Sequence, residues 1–169
     1  MGGQIATLFY EKYPSYVKSL ILCDTHFGLS NLSPQEIEKF INLRKEPLIN
    51  GKEPRDIAPI VASTLIGDVN NKSAYNQLVN SMELLHKESY LKTIETSMRT
   101  EHRHIFKTIN VPTLIIVGEL DTLTPPSMSN DIMKEIKNSK LSLIPNAGHL
   151  SNIENPTVFN QKLLEFLDS

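Results

Sequence analysis

Three short, mainly apolar runs place the strongest constraint on what this chain can fold into. They read VKSLILCD (residues 17–24), VPTLIIVGELD (residues 111–121) and KLSLIPNAGH (residues 140–149). Runs of this kind are typical of strands that are buried on both faces, because neither face of such a strand meets solvent. The sequence therefore predicts three strands, and the first of them, residues 17–24, is expected to be buried on both sides.

Helical patterns alternate with these runs. A helix is predicted over residues 2–13 and ends at Pro14, and its apolar side chains lie roughly on one face, namely Ile5, Ala6, Leu8, Phe9 and Tyr13. Further helices are predicted over residues 127–138 and from Pro156 onward, where Asn155 is the expected N-cap. Strands that alternate with helices indicate the α/β class, with a parallel sheet and helices on its faces.

A long insertion, from Thr25 to about Arg103, separates the first two strands and reads as helical throughout. Its first helix has a clear start, with Ser33 as the expected N-cap, Pro34 at the first helical position and Glu36 three residues after the cap. Three more helices are predicted after it. The expected joints carry proline or glycine, at Pro47, Gly51, Pro54 and Gly67.

Composition limits the partners and the compartment. The 169 residues carry 17 basic and 19 acidic side chains, a net charge of −2, with no basic cluster, so we expect no nucleic-acid partner. Cys23 is the single cysteine and cannot form an internal disulfide, which fits a reducing compartment. No apolar run reaches the ~18 residues that a membrane span needs. Residues 1–22 lack signal-peptide features, so we expect a cytoplasmic protein without a membrane partner.

Two titratable residues follow the second and third strands. Asp121 comes after TLIIVGEL, and His149 comes after LSLIPNAG. One strand–helix–strand crossover separates them and returns the chain to the same edge of the sheet, so a carboxylate and an imidazole are expected to meet there. A buried aspartate beside an imidazole is the acid–base part of a nucleophile–His–acid triad. Glu119 and Asp24, which also stand near strand ends, are weaker candidates for the acid.

The other potentially reactive side chains are expected to have structural roles. Cys23 lies within a strand run and is expected to be a packed thiol rather than a nucleophile. The remaining histidines have no ligand-like set of partners, so no metal site is predicted; they are His26, His86, His102 and His104. The glycines of MGGQIA do not match a dinucleotide-binding fingerprint, and no organic cofactor is expected.

Three segments together carry a family resemblance: MGGQIATLFYEKYPSYVKSLILCDT, VPTLIIVGELDTLTPP and IPNAGHLSNIENPTVFNQKLLEFL. In this order they resemble the C-terminal part of an α/β-hydrolase of the serine branch, similar to oxoadipate enol-lactone hydrolases. The resemblance extends over essentially the whole chain. It implies a partial hydrolase sheet, made of the last three parallel strands with flanking helices, plus an all-helical cap. Residues 1–27 and 104–169 would form the hydrolase core, and residues 28–103 the cap.

The resemblance also assigns roles to residues. The nucleophile elbow of this family commonly reads Gly-x-Ser-Met-Gly-Gly, so the nucleophile would stand directly before Met1, and this chain does not contain it. Met1 would provide an oxyanion-hole donor through its backbone N–H. His149 would be the general base and Asp121 the acid that orients it. No metal or organic cofactor is implied.

The substrate implied by the resemblance is a small carboxylic ester or lactone. Apolar side chains of the cap either line its pocket or pack the cap helices together; they are Phe40, Leu65, Met82, Leu85 and Met98. Met82, Met98 and Leu65 are the preferred substrate-binding candidates. The alternative function is that of a catalytically inactive remnant, or of a module that binds small molecules or oligomerises. An uncovered edge at the first strand would favour a homo-oligomer.

Overall fold

The computed structural model describes residues 1–28 and 32–168. Three strands, β1 (Leu20–Cys23), β2 (Thr113–Gly118) and β3 (Ser139–Ile144), form one sheet in that order. Both pairings are parallel. The α/β class and the three parallel strands are therefore confirmed. Residues 29–31, which belong to the predicted cap, and residue 169 lie outside the described residues.

Helices account for most of the remaining described chain. Helix α1 (Gly2–Lys12) and a 3₁₀ turn (Pro14–Tyr16) precede β1. The predicted helical cap is confirmed as four helices between β1 and β2, which are α2 (Pro34–Ile49), α3 (Pro54–Leu65), α4 (Lys72–Glu83) and α5 (Lys87–Arg99). The later helices are α6 (Arg103–Phe106), α7 (Pro126–Glu135), α8 (Ser151–Glu154) and α9 (Pro156–Leu167).

The side-chain caps predicted at the starts of α2 and α9 are both present. Ser33 accepts from the backbone N–H of Glu36, and the Glu36 carboxylate accepts from the backbone N–H of Ser33, which completes a capping box. The Asn155 side chain caps α9 by accepting from the N–H of Val158. The prediction of a joint at Pro47 was wrong, because Pro47 lies inside the last turn of α2. Pro47 has no N–H, so the helix lacks the hydrogen bond that would otherwise reach the oxygen of Leu43.

The sheet carries a hydrophobic cluster on each face. Leu22 and Ile115 pack on one face with Phe106 of α6, and all three are fully buried. Leu114 and Ile116 pack on the other face against α9. All six positions of β2 are buried, as expected of a strand covered on both sides. Each fully buried aliphatic side chain contributes about 1.5–3 kcal/mol, so this central strand anchors the loops at its end.

Helix α1 departs from the expected orientation. Most apolar side chains of the predicted face lie at the surface, with Ile5 59% and Phe9 48% exposed, although Ala6 packs against the core. The buried residues of the helix are Gln4, Thr7 and Tyr10. A helix normally buries its apolar stripe, so this face leaves a substantial apolar surface uncovered in the described structure.

Hydrogen bonds explain why polar side chains of α1 can be buried. Gln4 Nε2 donates to the backbone oxygen of Ser97 at 2.8 Å, which connects α1 to the cap helix α5. The Tyr10 hydroxyl accepts from the backbone N–H of Asn110 at 3.0 Å, close to the start of β2. Burial of these groups costs little because their hydrogen-bonding capacity is used.

Among the residues that the structure describes, no helix combines the length and the apolar character needed to cross a bilayer.

Candidate active site

The loops that follow β2 and β3 are held together by backbone contacts. The N–H of Glu119 donates to the oxygen of Ile144 at 2.9 Å, and the N–H of Leu120 donates to the oxygen of Ala147 at 2.8 Å. A Cβ atom on Gly118 would overlap the backbone of Ala147, so the close approach of the loops requires glycine there. The carboxyl ends of neighbouring parallel strands thus bring their following residues together, as predicted.

Asp121 and His149 are in direct contact at this edge of the sheet. Oδ2 of Asp121 lies 2.9 Å from Nδ1 of His149. The Thr124 hydroxyl donates to the same Oδ2 at 2.6 Å, while Oδ1 accepts from the backbone N–H groups of Leu123 and Thr124, both at 2.9 Å. The side chain of Asp121 is fully buried, and that of His149 is 22% exposed. A buried carboxylate is therefore held by four donors.

This network keeps Asp121 ionised. Burial alone would raise the pKa of the Asp121 carboxyl, but the hydrogen bonds from His149 and Thr124 outweigh it and hold that pKa below its ordinary value. An ionised carboxylate only accepts, so the Nδ1 atom of His149 must carry the proton between them. The neutral ring then has its lone pair on Nε2, which makes no hydrogen bond within residues 1–28 and 32–168. Nε2 is thus chemically able to take a proton.

Thr124 is a site residue that the sequence analysis missed. Its hydroxyl oxygen lies 3.1 Å from Nδ1 of His149 as well as donating to Asp121, so it contacts both members of the pair. The available signal was its position three residues after Asp121, because aspartates commonly hydrogen-bond the backbone two or three residues onward.

Asp24 occupies a neighbouring but separate position. Its Oδ1 accepts from the N–H of Gly118 at 2.9 Å, and its Oδ2 accepts from the N–H and hydroxyl of Ser151 at 3.1 and 2.6 Å. Burial raises the pKa of Asp24 to about 6, although these hydrogen bonds oppose the shift. Its backbone has φ +42°, a left-handed conformation that aspartate tolerates better than most residues. Asp24 therefore connects the end of β1 to the end of β2 and to the start of α8, and it does not hydrogen-bond to His149.

The other weaker candidates have ordinary surroundings. The residue Glu119 is exposed to solvent. Burial, followed by the neighbouring charge of Asp24, raises the pKa of the Cys23 thiol to about 12. A thiol with such a pKa stays protonated at neutral pH and is a poor nucleophile.

The start of α1 lies near the buried His102 and the half-buried His26. The rings of His26 and His102 meet edge to face, 5.0 Å between centroids. Burial lowers the pKa of His26 to about 4, with His102 and the Met1 amino group adding to the shift, and burial also lowers the pKa of His102. Burial lowers the pKa of the Met1 amino group as well, although the residue as a whole is 58% exposed. The role of the Met1 nitrogen as an oxyanion donor stays a prediction.

The predicted substrate-binding residues lie in three different places. The carbonyl oxygen of Leu65 accepts from the backbone N–H of His149 at 2.8 Å, so this cap residue adjoins the candidate site. Met82 is 4% exposed and packs among α2, α3 and α4, in the interior of the cap. Met98 lines a groove between α2 and α5 with Ile37. Of the three, only Leu65 contacts His149.

A second groove of about 270 Å³ runs between α1 and α5 and includes Met1, Gln4 and Ser97 in its lining. It adjoins the start of α1, but neither Asp121 nor His149 lines it. Within the described part of the chain, no group of three or more histidine, cysteine, aspartate or glutamate side chains is arranged to hold a metal ion.

Comparison with known proteins gives a consistent family. Residues 1–156 match the family described as alpha/beta hydrolase fold. The chain is similar to a thermophilic esterase from Thermogutta terrifontis, with a TM-score of 0.87 at 25% identity, covering 99% of this chain and 61% of the esterase.

Two curated relatives have comparable similarity. The mouse monoacylglycerol lipase ABHD6 is 27% identical over 100% of this chain and 53% of the lipase. A 2-hydroxy-6-oxononadienedioate/2-hydroxy-6-oxononatrienedioate hydrolase from Cupriavidus pinatubonensis is 28% identical over 99% of this chain and 59% of that hydrolase. The chain therefore spans less than two thirds of the length of either relative.

Proposed function

This chain belongs to the α/β-hydrolase fold family, and on that premise we propose that it carries the acid–base half of a site that hydrolyses a small carboxylic ester or lactone. His149 is the general base and then the general acid, and Asp121 orients it. The observation that carries the proposal is the 2.9 Å contact between Oδ2 of Asp121 and Nδ1 of His149. It leaves Nε2, the atom that must exchange protons, without a partner among the described residues.

The proposed reaction has two parts. Nε2 of His149 accepts the proton of the nucleophile's hydroxyl as its oxygen attacks the substrate carbonyl, and then gives that proton to the departing alkoxide. Water repeats the sequence on the acyl intermediate, losing a proton to Nε2 and releasing the acid and the nucleophile. In both halves the ionised Asp121 stabilises the transient imidazolium ring of His149.

The assignments of the nucleophile and of the oxyanion donor rest on the family pattern. In Gly-x-Ser-Met-Gly-Gly the serine precedes the methionine, so the nucleophile is assigned to the position before Met1, and the backbone N–H of Met1 is the proposed oxyanion donor. We propose that the 169-residue chain alone is inactive. No metal or organic cofactor takes part in the proposed reaction.

The proposed substrate class rests on the relatives. One relative is named a lipase, one a hydrolase and one an esterase, and all three align with nearly the whole of this chain. A cytoplasmic location remains part of the proposal and rests on the free thiol of Cys23.

A chromogenic acetate ester and a small lactone test the proposal. The assay compares the 169-residue chain with a version in which the N-terminal part of the Thermogutta esterase, including its nucleophile, precedes Met1. We expect turnover only in the extended version, and its loss in His149→Ala. His86→Ala, which changes an exposed histidine of the cap, serves as the matched control. Turnover that survives His149→Ala would refute the assigned base.

A second candidate function follows from the exposed apolar face of α1. A surface formed by Ile5, Leu8, Phe9 and Tyr13 would be covered if the chain assembled with another copy of itself. The chain would then serve as an oligomerising module, whether or not it also binds a small molecule. The edge of β1, which pairs only with β2 in the described sheet, offers another copy a second surface to pair with.

A further inference from the structure

Glu154, at the end of α8, is a buried carboxylate with backbone groups as its partners. The residue is 8% exposed. Its Oε1 accepts from the N–H of Gly148 at 2.9 Å and from the N–H of Leu150 at 3.3 Å, so it holds the residues on both sides of His149. Its Oε2 accepts from the N–H of Gly67 at 2.7 Å, in the connection between α3 and α4 of the cap. One side chain therefore holds both the His149 loop and the cap.

The cap contacts the same loop through three further features. The backbone N–H of His149 donates to the oxygen of Leu65 at 2.8 Å. Asn71, the N-cap of α4, donates from Nδ2 to the backbone oxygen of Glu154 at 3.1 Å. A Cβ atom on Gly67 would lie 2.6 Å from the nitrogen of Gly148, so the two backbones touch. The α3–α4 connection is thus packed directly on the loop that presents His149.

Each backbone N–H from Gly148 to Ser151 has a hydrogen-bond acceptor within the protein. Glu154 takes those of Gly148 and Leu150, Leu65 takes that of His149, and Asp24 takes that of Ser151. Two of these three acceptors are either part of the cap or bonded to it. The position of the His149 backbone is therefore shared between the hydrolase sheet and the cap.

We propose that Glu154 is a positioning residue that couples the cap to His149, so that a displacement of the α3–α4 connection changes the placement of the imidazole. The inference deepens the proposed function, because it assigns a control over the base of that same site. If the connection moved away, His149 would lose the Leu65 acceptor, and Glu154 would lose one of its two groups of partners. The ring would then no longer be held in place against Asp121.

The carboxylate is chemically suited to this double role. Both of its oxygens accept, so it satisfies donors on the His149 loop and on Gly67 at once. Glutamine has nearly the same shape but only one oxygen, and its NH₂ group would face a backbone N–H on one of the two sides. Glu154→Gln therefore breaks one half of the coupling while it preserves the volume of the side chain.

NMR on the 169-residue chain tests the coupling without any need for turnover. We expect Glu154→Gln to accelerate hydrogen exchange at the amides of Gly67, Gly148 and Leu150 by about tenfold. We also expect it to change the ¹⁵N shifts of the His149 imidazole, whereas the amides of β2 keep their protection. Glu165→Gln, which changes an exposed glutamate of α9, is the matched control and should alter neither signal.

A cap-side substitution provides an independent test. Gly67→Ala leaves Glu154, Asp121 and His149 unchanged but forces the α3–α4 connection away from Gly148, so it should shift the same imidazole ¹⁵N signals. Unchanged imidazole signals in both folded variants would overturn the proposal. If Glu154→Gln fails to fold, Gly67→Ala still provides the imidazole test, and hydrogen exchange in the unmodified chain provides a second one. The amides of Gly67 and Gly148 should begin to exchange at the same low denaturant concentration. Exchange that begins at different concentrations would overturn the proposal.

The two proposals fail separately. An extended enzyme that does not hydrolyse esters, together with coupled exchange at Gly67 and Gly148, would refute the hydrolytic function and leave the coupling intact. An active enzyme in which the ¹⁵N signals of the His149 imidazole do not change with either Glu154→Gln or Gly67→Ala would refute the coupling alone.

Discussion

His149 and Asp121 are 28 positions apart in the chain, yet Nδ1 of the first lies 2.9 Å from Oδ2 of the second. The contact arises because β2 and β3 are adjacent and parallel, so both following loops emerge at the same edge of the sheet. Burial of the carboxylate and its four donors then fixes which imidazole nitrogen carries the proton. The proposed chemistry follows from that proton position, since only the opposite nitrogen is able to act as a base.

Removal of the carboxylate charge should abolish most of the proposed catalysis. In the extended, active version, we expect Asp121→Asn to lower kcat by about 10⁴-fold, because an amide in this place favours the wrong tautomer of His149. Steady-state hydrolysis of the acetate ester measures the change. Glu119→Gln, two residues away and exposed, is the control, and a loss of similar size in that variant would contradict the assignment of the acid.

The Thr124 hydroxyl should help to keep Asp121 ionised. Thr124→Val removes a 2.6 Å donor to Oδ2 while it keeps a similar volume, so the pKa of Asp121 should rise toward its ordinary value. Loss of a hydrogen bond to a buried charge should also reduce the free energy of unfolding by about 1.5–3 kcal/mol. Carboxyl NMR titration and urea denaturation measure both effects, with Thr122→Val, at an exposed position, as the control.

The two aspartates should give opposite dependences of stability on pH. The pKa of Asp121 is lowered by folding, so its contribution to stability is present above its unfolded pKa and is lost as the pH falls through its folded value. The pKa of Asp24 is raised to about 6, so its contribution is present below the unfolded pKa of about 3.8 and is lost as the pH rises through about 6.

Asp24→Asn isolates the second of these effects. The variant should lose the part of the decline in stability that occurs between about pH 4 and pH 6, because its side chain does not ionise. Urea denaturation at several pH values measures this, and Asp131→Asn, at an exposed position, should retain the decline. An unchanged slope in Asp24→Asn would show that Asp24 has an ordinary pKa.

The apolar face of α1 should drive self-association of the chain. Phe9→Glu places a charge in the middle of that face, so light scattering should give a lower mean mass for the variant than for the unmodified chain. Leu43→Glu, which changes a 72% exposed side chain of α2 in the cap, is the control for a general effect of added charge. A monomeric unmodified chain would contradict the oligomerising alternative.

The sequence predicted those features that depend on strand order and on local pattern. The apolar runs predicted β2 and β3, and the expected parallel arrangement of these strands predicted that Asp121 and His149 lie close together. The Ser33 and Asn155 caps followed from short-range spacing alone. Helices α6 and α8 were not predicted, because four residues carry too little periodicity to indicate a helix.

Other features depend on contacts between distant segments. The exposure of the apolar face of α1 could not be predicted, because it results from Gln4 bonding to the cap and from Tyr10 bonding near β2. Likewise, nothing in the spacing of Glu154 indicates that its carboxylate accepts from Gly67, which is 87 positions earlier in the chain. Such contacts are visible only in three dimensions.

The position of the imidazole proton tests the central assignment most directly. ¹⁵N NMR of the uniformly labelled 169-residue chain, with His149→Ala to identify the resonance, reports which ring nitrogen is protonated in the neutral form. We expect the proton on Nδ1, facing Asp121, with a shift that changes in Asp121→Asn. A neutral His149 ring protonated on Nε2, or one that does not respond to Asp121→Asn, would contradict the assignment of these two residues as an acid–base pair.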